Sequence, residues 1–241
     1  LYAIGALPLL LVPYFRRNIP ESQRFTEQQA EGSAEAGAYS IRPLLNMLRE
    51  SPGRSLGVGI SGFVPAIGLV GAFQFTGYHT QTVHGWTPGE YAAMVFFGGA
   101  LGIAGNIIAG RLSDRFGRRT VGMLLLGSFP FWVALFYNAS GFALTIGWIG
   151  FLFVSQGGRV ILRAFATELF PTDQRASAAG FWQILEALGG ATGLFLIYFG
   201  SSQAGDFAVY TTGLSFCVLV GGLVLFFFPE TTQRELETIS R

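Results

Sequence analysis

The feature that most limits how this chain can fold is the recurrence of apolar stretches long enough to cross a lipid bilayer. A spanning helix needs about 20 predominantly apolar residues. Six stretches qualify, at approximately 55–79, 88–109, 120–137, 142–163, 176–200 and 207–228. Within hydrocarbon every backbone N–H and C=O must be paired inside the segment, which leaves the α-helix for stretches of this length. The sequence therefore predicts an all-α integral membrane protein with six transmembrane helices, and the lipid bilayer is its first partner. Composition agrees: 51% of the residues are hydrophobic and 12% are charged, about half the charge of an ordinary soluble domain. The 34 glycines suit helices that approach closely through small residues. Cys217 is the single cysteine, so no disulfide can form within the chain. The two histidines, His79 and His84, show no metal-ligand spacing, and no cofactor motif is present. A net charge of +1 points to no nucleic-acid partner.

Short polar links, Gly85-Trp86-Thr87-Pro88, Asn138 to Gly141 and Ser201 to Asp206, impose an up-and-down path. The other links carry the charge. All 15 basic residues are arginine. They precede the first stretch, follow the second (Arg111, Arg115, Arg118, Arg119), surround the end of the fourth (Arg159, Arg163, Arg175) and follow the sixth. Cytoplasmic loops collect Arg and Lys, so this side and both chain ends are read as cytoplasmic, in a cell (inner or plasma) membrane. The absence of lysine points to a GC-rich bacterial source. The domain reading is 1–15 as the end of a truncated membrane helix, 16–54 as a cytoplasmic central loop, 55–228 as the bundle and 229–241 as a cytoplasmic tail. The chain starts at Leu1 and is read as a fragment. Within the loop, Glu27 to Gly37 reads as a flexible linker. Ile41, Leu44, Leu45 and Leu48 recur at helical spacing, either as an amphipathic helix on the inner membrane face or as a loose loop with incidental leucines.

Between the second and third stretches stands Gly110-Arg111-Leu112-Ser113-Asp114-Arg115-Phe116-Gly117-Arg118-Arg119. It closely resembles the G-x-L-a-D-R-x-G-R-[KR] signature of the major facilitator superfamily. Glu168-Leu169-Phe170-Pro171 with Arg175 resembles the E-x-x-P-x-x-x-R element of that family. Pro229-Glu230-Thr231-Thr232, leading to Leu236-Glu237, resembles its P-E-T tail, and Pro20-Glu21-Ser22 with Arg24-Phe25 its P-E-S-x-R element. The resemblance runs from Arg16 to Glu237. It implies the C-terminal six-helix half of a twelve-helix fold, built of two inverted three-helix repeats, with an N-terminal half as the missing partner. It also implies alternating access by two rocking bundles. The motif glycines allow a tight turn and close packing. The gating role falls on Gly110, Asp114, Arg115, Gly117, Arg118, Arg119, Glu168 and Arg175. Two departures stand out. Thr120-Val121-Gly122 replaces a bulkier aliphatic ending, and Phe181-Trp182-Gln183 with Glu186 does not match a sugar-porter pattern.

Ionisable groups in hydrocarbon are costly and usually functional. Glu186 lies eleven residues beyond Arg175, about 16 Å along a helix, near mid-membrane. It reads as a proton-coupling carboxylate or substrate contact, or as a structural ion-pair partner. Arg159 could bind an anionic substrate, snorkel, or pair with Glu168. Gln156 lies deeper, one turn before it. Gln74 and Tyr78, one turn apart, form a candidate polar–aromatic patch for a solute, or hydrogen-bond between helices. Asn106 and Gln183 are candidates of the same kind. His79 and His84 flank the outer mouth of the first stretch, as pH sensors or exposed loop residues, and Glu90 reads as a helix-terminus carboxylate.

These features predict a secondary active transporter for a small-molecule substrate, with proton-coupled uptake of an organic metabolite such as an organic acid. A sugar carrier of the same superfamily and a non-transporting carrier-like protein remain as alternatives. An enzyme is not expected: the sequence has no G-x-S-x-G element, no His paired with Asp at helical spacing and no His-Glu metal pattern.

Overall fold

The computed structural model describes residues 11–14, 42–171, 174–204 and 207–227. The chain divides into two compact units, Leu1–Pro43 and Leu44–Arg241. In the first, residues 12–14 form a helical turn. The linker Glu27 to Gly37, the Pro20-Glu21-Ser22 element and the Pro229-Glu230-Thr231-Thr232 tail lie outside the described residues.

The second unit is built of helices, with no strand among the described residues. They are α1 (Arg42–Glu50), α2 (Pro52–Gln74), α3 (Pro88–Phe116), α4 (Arg118–Asn138), α5 (Gly141–Glu168), α6 (Arg175–Ala204), α7 (Phe207–Ser215) and α8 (Val218–Phe227). Together they make six spans long and apolar enough to cross a membrane: Pro52–Val83, Pro88–Phe116, Arg118–Asn138, Gly141–Glu168, Arg175–Ser201 and Phe207–Phe227. The expected all-α, six-span architecture is therefore present. The leucine pattern after residue 41 is a helix, α1, with Met47 fully buried and Leu44 and Leu48 packed against the core.

Local chemistry sets the helix ends. Thr87 caps α3 through a capping box: the Glu90 backbone N–H donates to its Oγ1 at 3.3 Å, while its own N–H donates to Glu90 Oε2 at 2.7 Å. The first span does not end at Gln74. It is interrupted at Phe75, resumes as a helical turn at Thr76–Tyr78, and closes in a π-helical turn, His79–Val83. The charged run Arg111 to Arg119, expected as a link, is almost entirely helical. α3 continues to Phe116 and α4 begins at Arg118, so Gly117 alone separates them, at φ 92°. Only glycine takes that backbone without strain. Ser201 also belongs to helix rather than to a link.

The bundle packs on small residues. A Cβ added to Gly189 or Gly193 of α6 would collide with the carbonyl oxygens of Phe63 or Ile67 on α2, so these helices cross at backbone distance. α4 and α5 enclose an aromatic core of Phe129, Phe136, Trp148 and Phe151, all buried. Its polar atoms are satisfied: Trp148 Nε1 donates to the Met94 carbonyl at 3.0 Å and the Tyr137 hydroxyl donates to the Ala72 carbonyl at 2.5 Å. Phe96, Phe97, Leu124, Phe142 and Phe227 are exposed, a surface that lipid rather than water solvates.

The arginine-bearing junctions meet at one end of the bundle. Arg118 pairs with Glu168, an Arg54 guanidinium N–H donates to the Leu169 carbonyl at 3.2 Å, and Gln174 Nε2 donates to Glu50 Oε2 at 2.7 Å. Arg119 stacks 4.3 Å above the Phe226 ring. The opposite end carries the His79–Val83 turn and the Asn138–Thr212 contact at 3.4 Å.

Candidate functional site

A cavity of about 180 Å³ opens among α2, α5 and α6, lined by Leu69, Phe73, Gln74, Ser155, Gln156, Arg159 and Glu186 among others. Three helices contribute for a simple reason of phase. Ser155 and Arg159 are four apart on α5 and share a face, with Gln156 beside them. Phe73 and Gln74 end α2, and Glu186 enters from mid-α6.

Glu186 is the electrostatic centre. Its Oε1 lies 2.5 Å from an Arg159 guanidinium nitrogen and its Oε2 lies 3.9 Å from Arg163. Gln183, one turn earlier, donates from Nε2 to Glu186 Oε2 at 3.0 Å and accepts from Arg163 at Oε1 at 2.7 Å. The Glu186 side chain is 7% exposed and that of Arg159 is 42% exposed. The asymmetry matters. The carboxylate is held inside the protein, whereas the guanidinium paired with it is partly exposed beside the cavity. The cavity thus offers a planar, bidentate-capable cation, two primary amides and a hydroxyl, walled by apolar and aromatic side chains. Neither neutral sugar hydroxyls nor a carboxylate would lack partners there.

The structure corrects several expectations. Arg159 pairs with Glu186, not with Glu168, because Glu168 lies at the helix end beside Arg118. Gln74 lines the cavity but Tyr78 does not. The interruption at Phe75 breaks their helical alignment, and Tyr78 packs edge-on against Phe207 at 5.6 Å. Asn106 is not among the cavity residues, and its buried Oδ1 has no hydrogen-bond partner. His79 is buried rather than a loop residue. Ser155 was missed, although its spacing four before Arg159 could have revealed it.

With this geometry stands a family relationship. The profile of the Major Facilitator Superfamily matches residues 1–161 and 59–240. This chain belongs to the Major Facilitator Superfamily. Members of the superfamily are transporters rather than enzymes, and the six apolar spans make this chain a multi-pass membrane protein. A D-xylose transporter of Levilactobacillus brevis is 28% identical over 196 residues, covering 72% of this chain and 40% of that protein. Synaptic vesicle glycoprotein 2B of Rattus norvegicus is 34% identical over 148 residues, covering 59% of this chain and 21% of that protein. The chain spans less than half the length of either relative.

The superfamily motif residues fall at the arginine-rich end, but unequally. Arg118 and Glu168 form an ion pair, with side chains 22% and 17% exposed. Asp114 reaches Arg118 only at 4.0 Å and is 70% exposed. Arg115 lies 5.3 Å over Phe116, and Arg175 donates from Nε to the Phe170 carbonyl at 3.2 Å, closing the turn after α5. Gly117 makes the expected tight turn. Gly110 does neither job expected of it: it lies within α3, and a Cβ there would meet nothing. Arg54, Glu50 and Gln174 join this end without having stood out in the sequence.

Proposed function

We propose that the protein is a secondary active transporter working by alternating access, and that it takes up a small organic anion together with protons. In this reading the chain supplies the C-terminal six-helix half, as two inverted three-helix repeats, and an N-terminal half supplies the opposite wall of the path. The central segment 16–54 and the tail 229–241 are cytoplasmic, as is the arginine-rich end, in keeping with the positive-inside rule. The cavity is smaller than the roughly 300–1,000 Å³ of a complete ligand pocket, which suits one wall of a shared site.

The observation that carries the reading is the Glu186–Arg159 pair in the cavity wall. A substrate carboxylate can replace Glu186 on Arg159. Glu186 then loses its nearest cation and keeps only the Gln183 amide and the more distant Arg163. A buried carboxylate stripped of its close partner is costly, and taking up a proton relieves that cost. Substrate binding and protonation then favour one another, which is the thermodynamic requirement for coupling. Arg118–Glu168 acts as a cytoplasmic latch that forms in one state and opens in the other, with Asp114, Arg115, Arg119 and Arg175 around it.

The relationship to a D-xylose transporter favours a second reading, uptake of a neutral sugar held by Gln74, Gln156 and Ser155, with Glu186–Arg159 as a structural pair. One experiment separates the two. The full-length protein is reconstituted in liposomes with an inward proton gradient and offered pooled radiolabelled carboxylic acids or sugars. Carboxylate accumulation that collapses with a protonophore supports the first reading. Sugar uptake indifferent to the gradient supports the second. Folded protein that moves neither class removes both.

A further inference from the structure

The chain's two histidines are brought together by a structure that the sequence does not announce. π-helical turns are rare and tend to occur at functional positions. The one closing the first span, His79–Val83, carries the widened i→i+5 bond, from the His84 N–H to the His79 carbonyl at 3.4 Å. On an α-helix, paired metal-binding histidines stand at i and i+4. The π-turn moves residue i+5 into that position, so a spacing of five becomes a facing pair.

Their Nε2 atoms are 3.2 Å apart and their ring centres 4.8 Å apart, with the rings inclined at 79°. A straight N–H···N bond of that length would set the ring centres about 5.5 Å apart. The observed contact is therefore bent: the rings meet through a hydrogen bond between their Nε2 atoms, and the same bend lets both nitrogens turn toward one ion. Two lone pairs converging on one tetrahedral zinc-sized ion at about 2.05 Å would set the nitrogens about 3.3 Å and the ring centres about 5.2 Å apart, so only a small opening of the pair is needed to admit one. His79 is buried against Tyr137 and Phe136, with ring centres at 4.8 and 5.6 Å, so its ring is held. His84 is half-buried and gives the ion a way in.

We propose that His79 and His84 form a two-histidine site for a borderline divalent transition cation of the Zn²⁺ class, at the end of the bundle opposite the arginine-rich junctions. Among the described residues no group of three His, Cys, Asp or Glu side chains is arranged to hold a metal, so water completes the shell. Two neutral imidazoles select for borderline cations and against hard ones such as Mg²⁺. Bound there, the ion fastens the π-turn and stiffens the link between the first two spans. The site is independent of the transport reading.

The test uses full-length protein in lipid nanodiscs, stripped with a chelator and titrated with Zn²⁺ by calorimetry. One Zn²⁺ per chain is expected, with no response to Mg²⁺. Losing a mere second-sphere partner already costs a metal site about tenfold or more, so His84→Gln should weaken binding by at least about tenfold. His84 is chosen because it is the less buried of the two. In the unmutated protein, Zn²⁺ should also protect His84 from carbethoxylation, read by mass spectrometry, which needs no variant to fold. Absence of Zn²⁺ binding, or binding that ignores His84→Gln and leaves His84 fully reactive, overturns the site.

Discussion

Two of the ion pairs in this bundle, Arg118–Glu168 and Glu186–Arg159, use the same chemistry in different settings. Arg118–Glu168 joins the α3–α4 junction to the end of α5, both partners are similarly sheltered, and Arg54 donates to the carbonyl of the adjacent Leu169. Glu186–Arg159 sits in a cavity wall with the carboxylate enclosed and the guanidinium half open. The first bridges two helix ends, so it responds to their relative position. In the proposed transport reading the second exchanges partners without moving helices, because Arg159 is 42% exposed beside the cavity. Position in the fold, rather than residue type, thus separates a pair suited to holding a conformation from one suited to reading a ligand.

That contrast can be broken in order of expected effect. Glu186→Gln removes the exchangeable carboxylate and should reduce gradient-driven accumulation to the level seen without a gradient, while exchange of labelled for unlabelled substrate persists. Retained uphill transport would end the coupling role. Arg159→Gln should raise KM for an anionic substrate by about tenfold to a hundredfold, the equivalent of losing a charged hydrogen bond of about 1.5–3 kcal/mol. A neutral substrate should show a much smaller change, so comparing KM values for both classes sharpens the assignment. Glu168→Gln should shift the balance of states by about 1 kcal/mol, roughly fivefold. The shift is read as faster thiol labelling at a cysteine placed on the arginine-rich end, with KM little changed. Asp114→Asn should do least. At 4.0 Å and largely exposed, its pair is worth at most about 1 kcal/mol, and raising the salt concentration should erase the difference. A larger effect from Asp114 than from Glu168 would mean that the latch has been assigned to the wrong carboxylate.

Much of the architecture was legible because bilayer thickness writes itself into segment length: the six spans, and the gathering of arginines at one end, follow from counting. The placing of Glu186 within a membrane span was legible for the same reason, but the sequence left a functional carboxylate and a structural ion-pair partner equally open, and the structure shows the pair with Arg159. What escaped was register between helices. That Arg159 cannot reach Glu168 was legible, since nine residues of one helix separate them by about 13 Å; that Glu186 stands opposite Arg159 was not, because that depends on how α5 and α6 align. The charged motif read as a loop because its composition is polar, yet helices longer than the bilayer carry polar turns beyond it. The break at Phe75 and the following π-turn have no compositional sign, and these separated Tyr78 from Gln74 while joining His79 to His84.

The single residue between α3 and α4 has a mechanical consequence. A long loop lets its two helices slide independently; one glycine does not. Phe116 and Arg118 are fixed within two residues of each other, so axial travel of one helix drags the other, and the freedom that remains is a change of the angle between them. The pair behaves like a pair of compasses with its joint at Gly117. A displacement of the Pro88 end of α3 therefore reaches Arg118, and through it Glu168 on α5, as a rotation about one point.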